Sequence, residues 1–473
     1  MKKKKTIIIL FFILMTTCII CNINLGSDYF WHFKIGEYII SNHHLPKECI
    51  YSWYAIQNNL MNTYHEWLYE VIIYGLNHVF GKVSPIIYQT IFVSILSFIL
   101  YKTNIKTMLK KNPIYLIIFI VLSTASIASF SLPRPHIISW ILTALTIYLS
   151  YDLYENDSKK IYILPLLTII WVNVHGGSSC LSYMIPGLFM ILGLFNFNKW
   201  GIENKKLKKS KIITYIFIII LNMLALIINP YGINMLLYPF INMYDNTMKT
   251  IISEWHPTKI TSFIGIMAYM MIFYNLFIMY KSKEKLRLID LALFIVFVYL
   301  ATSSYRFVPL MIIASFWTTL RYIPVNTQNI KGNLIVIVLV ISNIILPLTQ
   351  INALNKTINY KEVSDEMINK IKEVKPQRLY NDYNVGGYLI YKEIPVFIDG
   401  RADAYSHDNL QDANDIFEEE VKIEKILNKY NFDYLITKCQ NNLSNYLKDN
   451  NNYTLIEKDK NYCLYQKNAS FTN

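Results

Sequence analysis

What the chain lacks narrows its function before anything it contains is weighed. It has no phosphate-binding glycine loop, no hydrolase nucleophile elbow and no Cys or His spacing of the kind that holds a structural metal. No long-period internal repeat is present, which argues against a solenoid or a propeller. Ionisable residues are nearly absent from the apolar runs. Asp290 stands near one end of its run, and only amides such as Gln89 and Asn222 lie deeper. Ion-coupled transporters place ionisable groups near the bilayer midplane and use paired repeats with broken helices, so that class is disfavoured.

What is present is apolar. Of 473 residues, 53% are hydrophobic and 15% aromatic, more than one soluble core needs, which reads as a polytopic membrane protein. The net charge of +13 does not imply nucleic acid, because the lysines come in short clusters between apolar runs and act as topology signals. The opening "MKKKK" and the run to Ile23 lack a small-residue cleavage site and read as the first span. Runs long enough to cross fall at about 7–24, 84–101, 114–131, 136–151, 161–174, 180–195, 212–229, 260–280, 288–303, 307–320 and 333–349, about 11 spans in all. The stretch "EWLYEVIIYGLNHVF" is too short and carries Glu66, Glu70, Asn77 and His78, so it is expected to lie flat on the membrane surface.

This layout puts most of the basic residues of the apolar region on one side. The other side holds only Lys34, Lys47, Lys82, Arg134, Lys249, Lys259 and Arg306 before the last span. Positive-inside bias then makes the N-terminus cytoplasmic and the tail extracytoplasmic. The expected fold is mainly α: a helix bundle over 1–349, including an outer loop 25–86 with juxtamembrane helices, followed by a soluble α/β domain over 350–473. In the tail, helices are expected at about 363–374, 385–392, 420–430 and 441–448. Strands are expected at "QRLYND", "IPVFID", "DYLITK", "YTLIEK" and "YCLYQK". Of six cysteines, Cys49, Cys439 and Cys463 fall outside, and a Cys439–Cys463 disulfide is left open.

Several strings together resemble a family of bacterial multispanning proteins that is similar to the GT-C superfamily of membrane glycosyltransferases. They are "SDYFWHFKIGEYIISNHHLP", "YHEWLYEVIIY", "LPRPHIIS", "LLTIIWVNVHGG", "INPYG", "ISEWHP", "YRFVPL" and "NDYNVGGYLI" with "PVFIDGRAD". The resemblance implies a polyprenyl-phosphate-linked sugar donor and an acceptor hydroxyl or amide presented from outside. It also implies an acidic residue in the first outer loop. "YNDYNVGG" resembles the tryptophan-and-aspartate motif of oligosaccharyltransferases but lacks the tryptophans, so no role is carried across.

Such a transfer needs a base for the acceptor and a cationic or metal partner for the departing phosphate. Asp28 matches the acidic position; the alternative is a helix cap formed by Ser27 or Asp28. His32, four residues on, is a partner, a metal ligand or an interfacial histidine. Glu66 is a second carboxylate or metal ligand, with Glu70 one turn along and His65 beside it; the alternative is a polar face in water. Arg134 and Arg306 suit a phosphate, or else snorkel to lipid headgroups. His175, before Gly176 and Gly177, and Glu254, in a long outer loop, are further substrate-binding candidates. Asp399 and Arg401 read as a structural turn and ion pair. Metal dependence is open, with Asp28, His32 and Glu66 as the ligands if a divalent ion takes part. The leading reading is a membrane glycosyltransferase. The alternatives are a noncatalytic membrane scaffold and a lipid or polysaccharide transporter of the cell envelope.

Overall fold

Apolar runs punctuated by Pro, Asn and Ser dictate most of the helices. Pro113 follows Asn112, whose side chain accepts from the Ile114 N–H, and Ser262 likewise accepts from Gly265 to start the next long helix. The computed structural model describes residues 25–325 and 360–468 together with Ile8, Ile9, Phe12 and Thr16. Its contacts divide the chain into two compact units.

The first unit takes in Met1–Asn24, Lys82–Tyr244 and Ile252–Ile358. Its helices are Ser84–Met108, Pro113–Ala128, His136–Asn156, Leu164–Val174, Leu181–Leu192, Lys209–Ala225, Asn234–Tyr244, Phe263–Lys281, Leu288–Ser303 and Val308–Thr318. Every apolar run expected between 84 and 320 is therefore helical. The expected spans 7–24 and 333–349 lie outside the described residues, apart from the four isolated positions. Among the described residues, three helical stretches are long and apolar enough to cross a bilayer: Trp67–Met108, His136–Asn156 and Phe263–Lys281. Pro113–Ala128, Gly176–Leu192 and Leu288–Ser303 are apolar but shorter, so the expectation of about 11 spans is not reproduced among the described residues.

Some hydroxyls inside these helices bond back to the preceding turn, as Ser123 does to the Phe119 carbonyl and Thr146 to that of Leu142. The buried Asp290 is matched by charge and hydrogen bonds. Tyr151 and Tyr322 donate to it at 2.6 and 2.7 Å, Arg287 pairs with it at 3.0 Å, and Arg321 approaches to 3.3 Å. A small sheet joins β1 (Phe197–Lys199), β2 (Ile202–Asn204) and β3 (Leu286–Arg287), with β1 antiparallel and β3 parallel to the central β2.

The second unit takes in Leu25–Gly81, Asp245–Ile251 and Asn359–Asn473. The outer-loop residues supply the helices Asp28–Asn42, Trp53–Gln57 and Trp67–Phe80. The last of these ends at Gly81, whose φ of 58° separates it from the Gly81–Val83 turn and the Ser84–Met108 helix. The tail forms a sheet of order β4-β5-β7-β6 from Leu379–Asn381, Tyr434–Lys438, Tyr462–Lys467 and Tyr453–Lys458, with only the β4–β5 pair parallel. Helices Asp365–Val374, Tyr383–Tyr391, His407–Asp415, Glu420–Tyr430 and Asn442–Asp449 surround it. A Cys439–Cys463 disulfide ties the end of β5 to β7.

One expected strand is absent. "IPVFID" forms only an isolated bridge, Val396 to Ser52, because its backbone partners are not tail strands. The Val396 N–H donates to Tyr51 O and its carbonyl accepts from Trp53, while the Asn381 side chain bonds both Phe397 N and Ile398 O. The outer loop thereby enters the core of the tail. The Trp53 indole donates to the Leu379 carbonyl at 3.0 Å and packs on Phe397 and Phe432, which also contact Tyr380 and Tyr430.

This packing makes loop and tail fold together. Trp53→Ala should cost about 3–5 kcal/mol and accelerate hydrogen exchange throughout Leu379–Asn381 and Tyr434–Lys438. Unchanged protection of those strands would mean that the tail folds without the loop.

Candidate functional site

The Asp28–Asn42 helix starts without a side-chain cap: Ser27 occupies the N-cap position but makes no capping bond. Asp28 instead sits half-buried in the first turn, where the exposed backbone N–H groups favour an anion. Its Oδ1 accepts from the Trp31 indole at 3.3 Å and from the Ser27 hydroxyl at 3.5 Å. Directly over it runs the turn that carries Gly400. A Cβ there would stand 2.2 Å from Asp28 Oδ1 and 2.9 Å from the Trp31 Nε1, so only glycine lets the turn close on the carboxylate.

The flanks of that turn are locked. Arg401 pairs with Asp399 through two parallel bonds of 2.8 and 2.7 Å, with both side chains buried. Arg401 also donates to the Ile50 carbonyl at 2.8 Å, and Tyr405 donates to Asp399. Burial works to raise the Asp399 carboxyl, but the Arg401 charge and its hydrogen bonds win and hold it below the usual range. The structural reading of this pair matches its geometry.

One turn along the same helix, His32 meets the Trp67–Phe80 helix. The two helices touch at Gly36, where a Cβ would lie 2.1 Å from the Glu70 carbonyl oxygen, and this close approach places His32 between two carboxylates. Its Nδ1 is 3.3 Å from Glu70 Oε1 and its Nε2 is 3.6 Å from Glu66 Oε2. Trp31 lies against the imidazole with ring centroids 3.6 Å apart and planes tilted by 33°, and Tyr69 meets it edge-on. Glu70 is fully buried and its Oε2 has no hydrogen-bond partner, whereas Glu66 keeps 15% of its side chain exposed. His65 reaches Glu66 only at 4.0 Å. Among the described residues no group of three or more His, Cys, Asp or Glu side chains is placed to hold a metal ion.

The first unit gathers the other candidates in two places. Arg134 pairs with Glu254 at 2.5 Å, and Arg306 lies over the Trp255 ring at 4.4 Å. "SEWHP" and "SSYRF" are joined by Ser304 donating to the Glu254 carbonyl and by Tyr305 N donating to His256 O. Burial tends to raise the Glu254 carboxyl, but Arg134, then Arg306 and His136, bring it down to about 2. His175 stands in a separate polar cluster. Its Nδ1 is 2.7 Å from Ser139 Oγ and 2.9 Å from Ser178 Oγ, and the Trp171 indole donates to both hydroxyls. The sequence reading missed Ser139, Trp171 and Ser178, because single hydroxyls in apolar runs carry no signal of their own.

No protein-family model and no curated relative matches the chain. Solved structures do match. The oligosaccharyltransferase of Archaeoglobus fulgidus in its apo form aligns with a TM-score of 0.56 at 10% identity, covering 92% of this chain and 70% of that one. The same enzyme tethered to an acceptor peptide containing the NVT sequon gives 0.54 at 10%, covering 92% and 69%. Archaeal AglB from the same organism, in complex with an inhibitory peptide and a dolichol-phosphate, gives 0.55 at 11%, covering 92% and 69%. The fold resembles that of these archaeal oligosaccharyltransferases.

The Arg134–Glu254 pair has a pH signature of known sign. A carboxyl held down to about 2 contributes stability above the usual Glu value of ~4.3 and loses it as the pH falls through about 2. The difference in unfolding midpoint between wild type and Glu254→Gln should therefore be constant from neutral pH to about pH 5 and shrink below it. A difference that grows on acidification would contradict the pairing.

Proposed function

We propose that this protein is a membrane glycosyltransferase that moves a sugar from a polyprenyl-phosphate-linked donor to an acceptor on the outer face. The observation that carries the reading is the oligosaccharyltransferase fold over 92% of the chain. The dolichol-phosphate and peptide in one such complex belong to that protein and give the chemical class of donor to test here. The Cys439–Cys463 disulfide supports an extracytoplasmic tail, since such bonds persist in oxidising compartments.

In this reading the acceptor oxygen or nitrogen attacks the anomeric carbon, the bond from that carbon to the phosphate oxygen breaks, and the lipid phosphate leaves as an anion. Asp28 takes the acceptor proton. Its carboxylate accepts hydrogen bonds from Trp31 and Ser27, which hold it in place for that role. Glu66 is the second carboxylate, and His32 and His65 orient it. Arg134 and Arg306 hold the phosphate. Arg306 spends its face on Trp255 and keeps its edge donors for an oxyanion, whereas Arg134 must share or exchange its Glu254 partner. His175 and Glu254 complete the substrate contacts. No step is routed through a metal.

A scaffold or a transporter needs no base, which makes Asp28 the discriminating residue. Asp28→Asn should leave the unfolding midpoint nearly unchanged and lower release of polyprenyl phosphate from a polyprenyl-phosphate sugar by roughly 100-fold or more. Gly400→Ala should also lower it, because the added methyl meets the carboxylate. Wild-type turnover by Asp28→Asn would remove Asp28 from the chemistry. Absence of turnover in the wild type with every donor tried would favour the scaffold.

A further inference from the structure

The small sheet at one end of the helix bundle carries a feature that sugar transfer does not use. β1 and β2 pair with Lys199 opposite Ile202, so only Trp200 and Gly201 form the turn, with φ of 53° and 73°. Two consecutive left-handed residues define a tight hairpin turn that ordinarily takes Asn-Gly or Gly-Gly. A tryptophan at its first position strains the backbone, and here it gains no burial in return. Trp200 is 86% exposed, with the Phe197 ring 6.1 Å away.

The hairpin is firmly held. Asn204 is buried and donates to the carbonyls of Leu192 and Phe195, Leu207 N donates to Gly193 O, and β2 pairs with β3 through Ile202 and Leu286. Lys285 reaches Asn198 on β1. The indole is therefore presented at a fixed place between the end of Leu181–Leu192 and the start of Lys209–Ala225.

Around it the exposed charge is mostly positive, with Glu203 on β2 half-buried opposite Asn198. Lys199, Lys205, Lys206 and Lys209 face solvent, while Lys211 is buried and paired with Asp157 at 2.9 Å. Leu194 and Phe195, just before β1, are also exposed. The approach to β3 repeats the combination, with Tyr280 at 91% exposure followed by Lys281, Lys283 and Lys285 and one exposed acid, Glu284, among them.

We propose that the β1–β2 hairpin docks on the anionic headgroup surface of the bilayer, with the Trp200 indole at headgroup depth and the flanking lysines against lipid phosphates. The inference rests on the apolar helices being embedded and is independent of catalysis. If Leu181–Leu192 and Lys209–Ala225 enter the bilayer, a rigid hairpin joining them lies at its surface. Indole rings favour that boundary because one edge is apolar and the N–H can be hydrated. Lysines near an anionic leaflet add electrostatic attraction.

The test uses the full chain reconstituted in phosphatidylglycerol-containing vesicles, with wild type compared against Trp200→Phe so that the difference spectrum reports Trp200. That difference should be blue-shifted, quenched by lipids brominated near the headgroup end of the acyl chain, and shielded from acrylamide. Replacing phosphatidylglycerol by phosphatidylcholine, or Lys199, Lys205, Lys206 and Lys209 by Gln, should reduce lipid quenching roughly twofold or more. A red-shifted difference spectrum quenched by acrylamide but not by brominated lipid would overturn the docking. Lipid quenching that ignores both the anionic lipid and the lysines would overturn the electrostatic part.

Discussion

A partly buried carboxylate is costly unless hydrogen-bond donors meet it, and in the second unit Asp28 is met by such donors. Trp31 and Ser27 supply the donors, and Gly400 lets the Asp399–Arg401 turn settle against the same oxygen. The turn holds its shape because a fully buried guanidinium–carboxylate pair fixes both of its sides. Strings far apart in the chain, "SDYFW" and "FIDGRAD", are thus parts of one small construction. The same requirement of matched charge recurs at Asp290 and at Arg134 with Glu254.

Much of this was legible in the sequence. Long apolar runs define helices whatever their surroundings, so every run expected between 84 and 320 is found. The tail strands "DYLITK", "YTLIEK" and "YCLYQK" carry alternation and turn signals and are also found. Asp-Gly-Arg reads as a turn with an ion pair because both partners are local.

What was not legible depends on distant partners. "IPVFID" has the composition of a strand, but its hydrogen bonds go to Tyr51, Trp53 and Asn381, which no local pattern reveals. His407–Asp415 is a polar helix with no apolar run to announce it. The pairing of Arg134 with Glu254 spans 120 residues, and the sequence offers either Ser27 or Asp28 as a helix cap, where the structure has Ser27 in that position without a capping bond. The number of membrane crossings is the weakest expectation, since hydropathy gives apolar runs and several of the resulting helices are short.

The central claim is that an oligosaccharyltransferase-like fold here binds a lipid-linked sugar phosphate. Native mass spectrometry of the chain released gently from its own membranes tests this most directly. The account predicts a co-purifying polyprenyl-phosphate sugar in the wild type, with the bound fraction falling when Arg306 is changed to Lys, which keeps the charge and loses the planar fork. A chain that carries only bulk phospholipid, with the same lipid profile in wild type and Arg306→Lys, would contradict it.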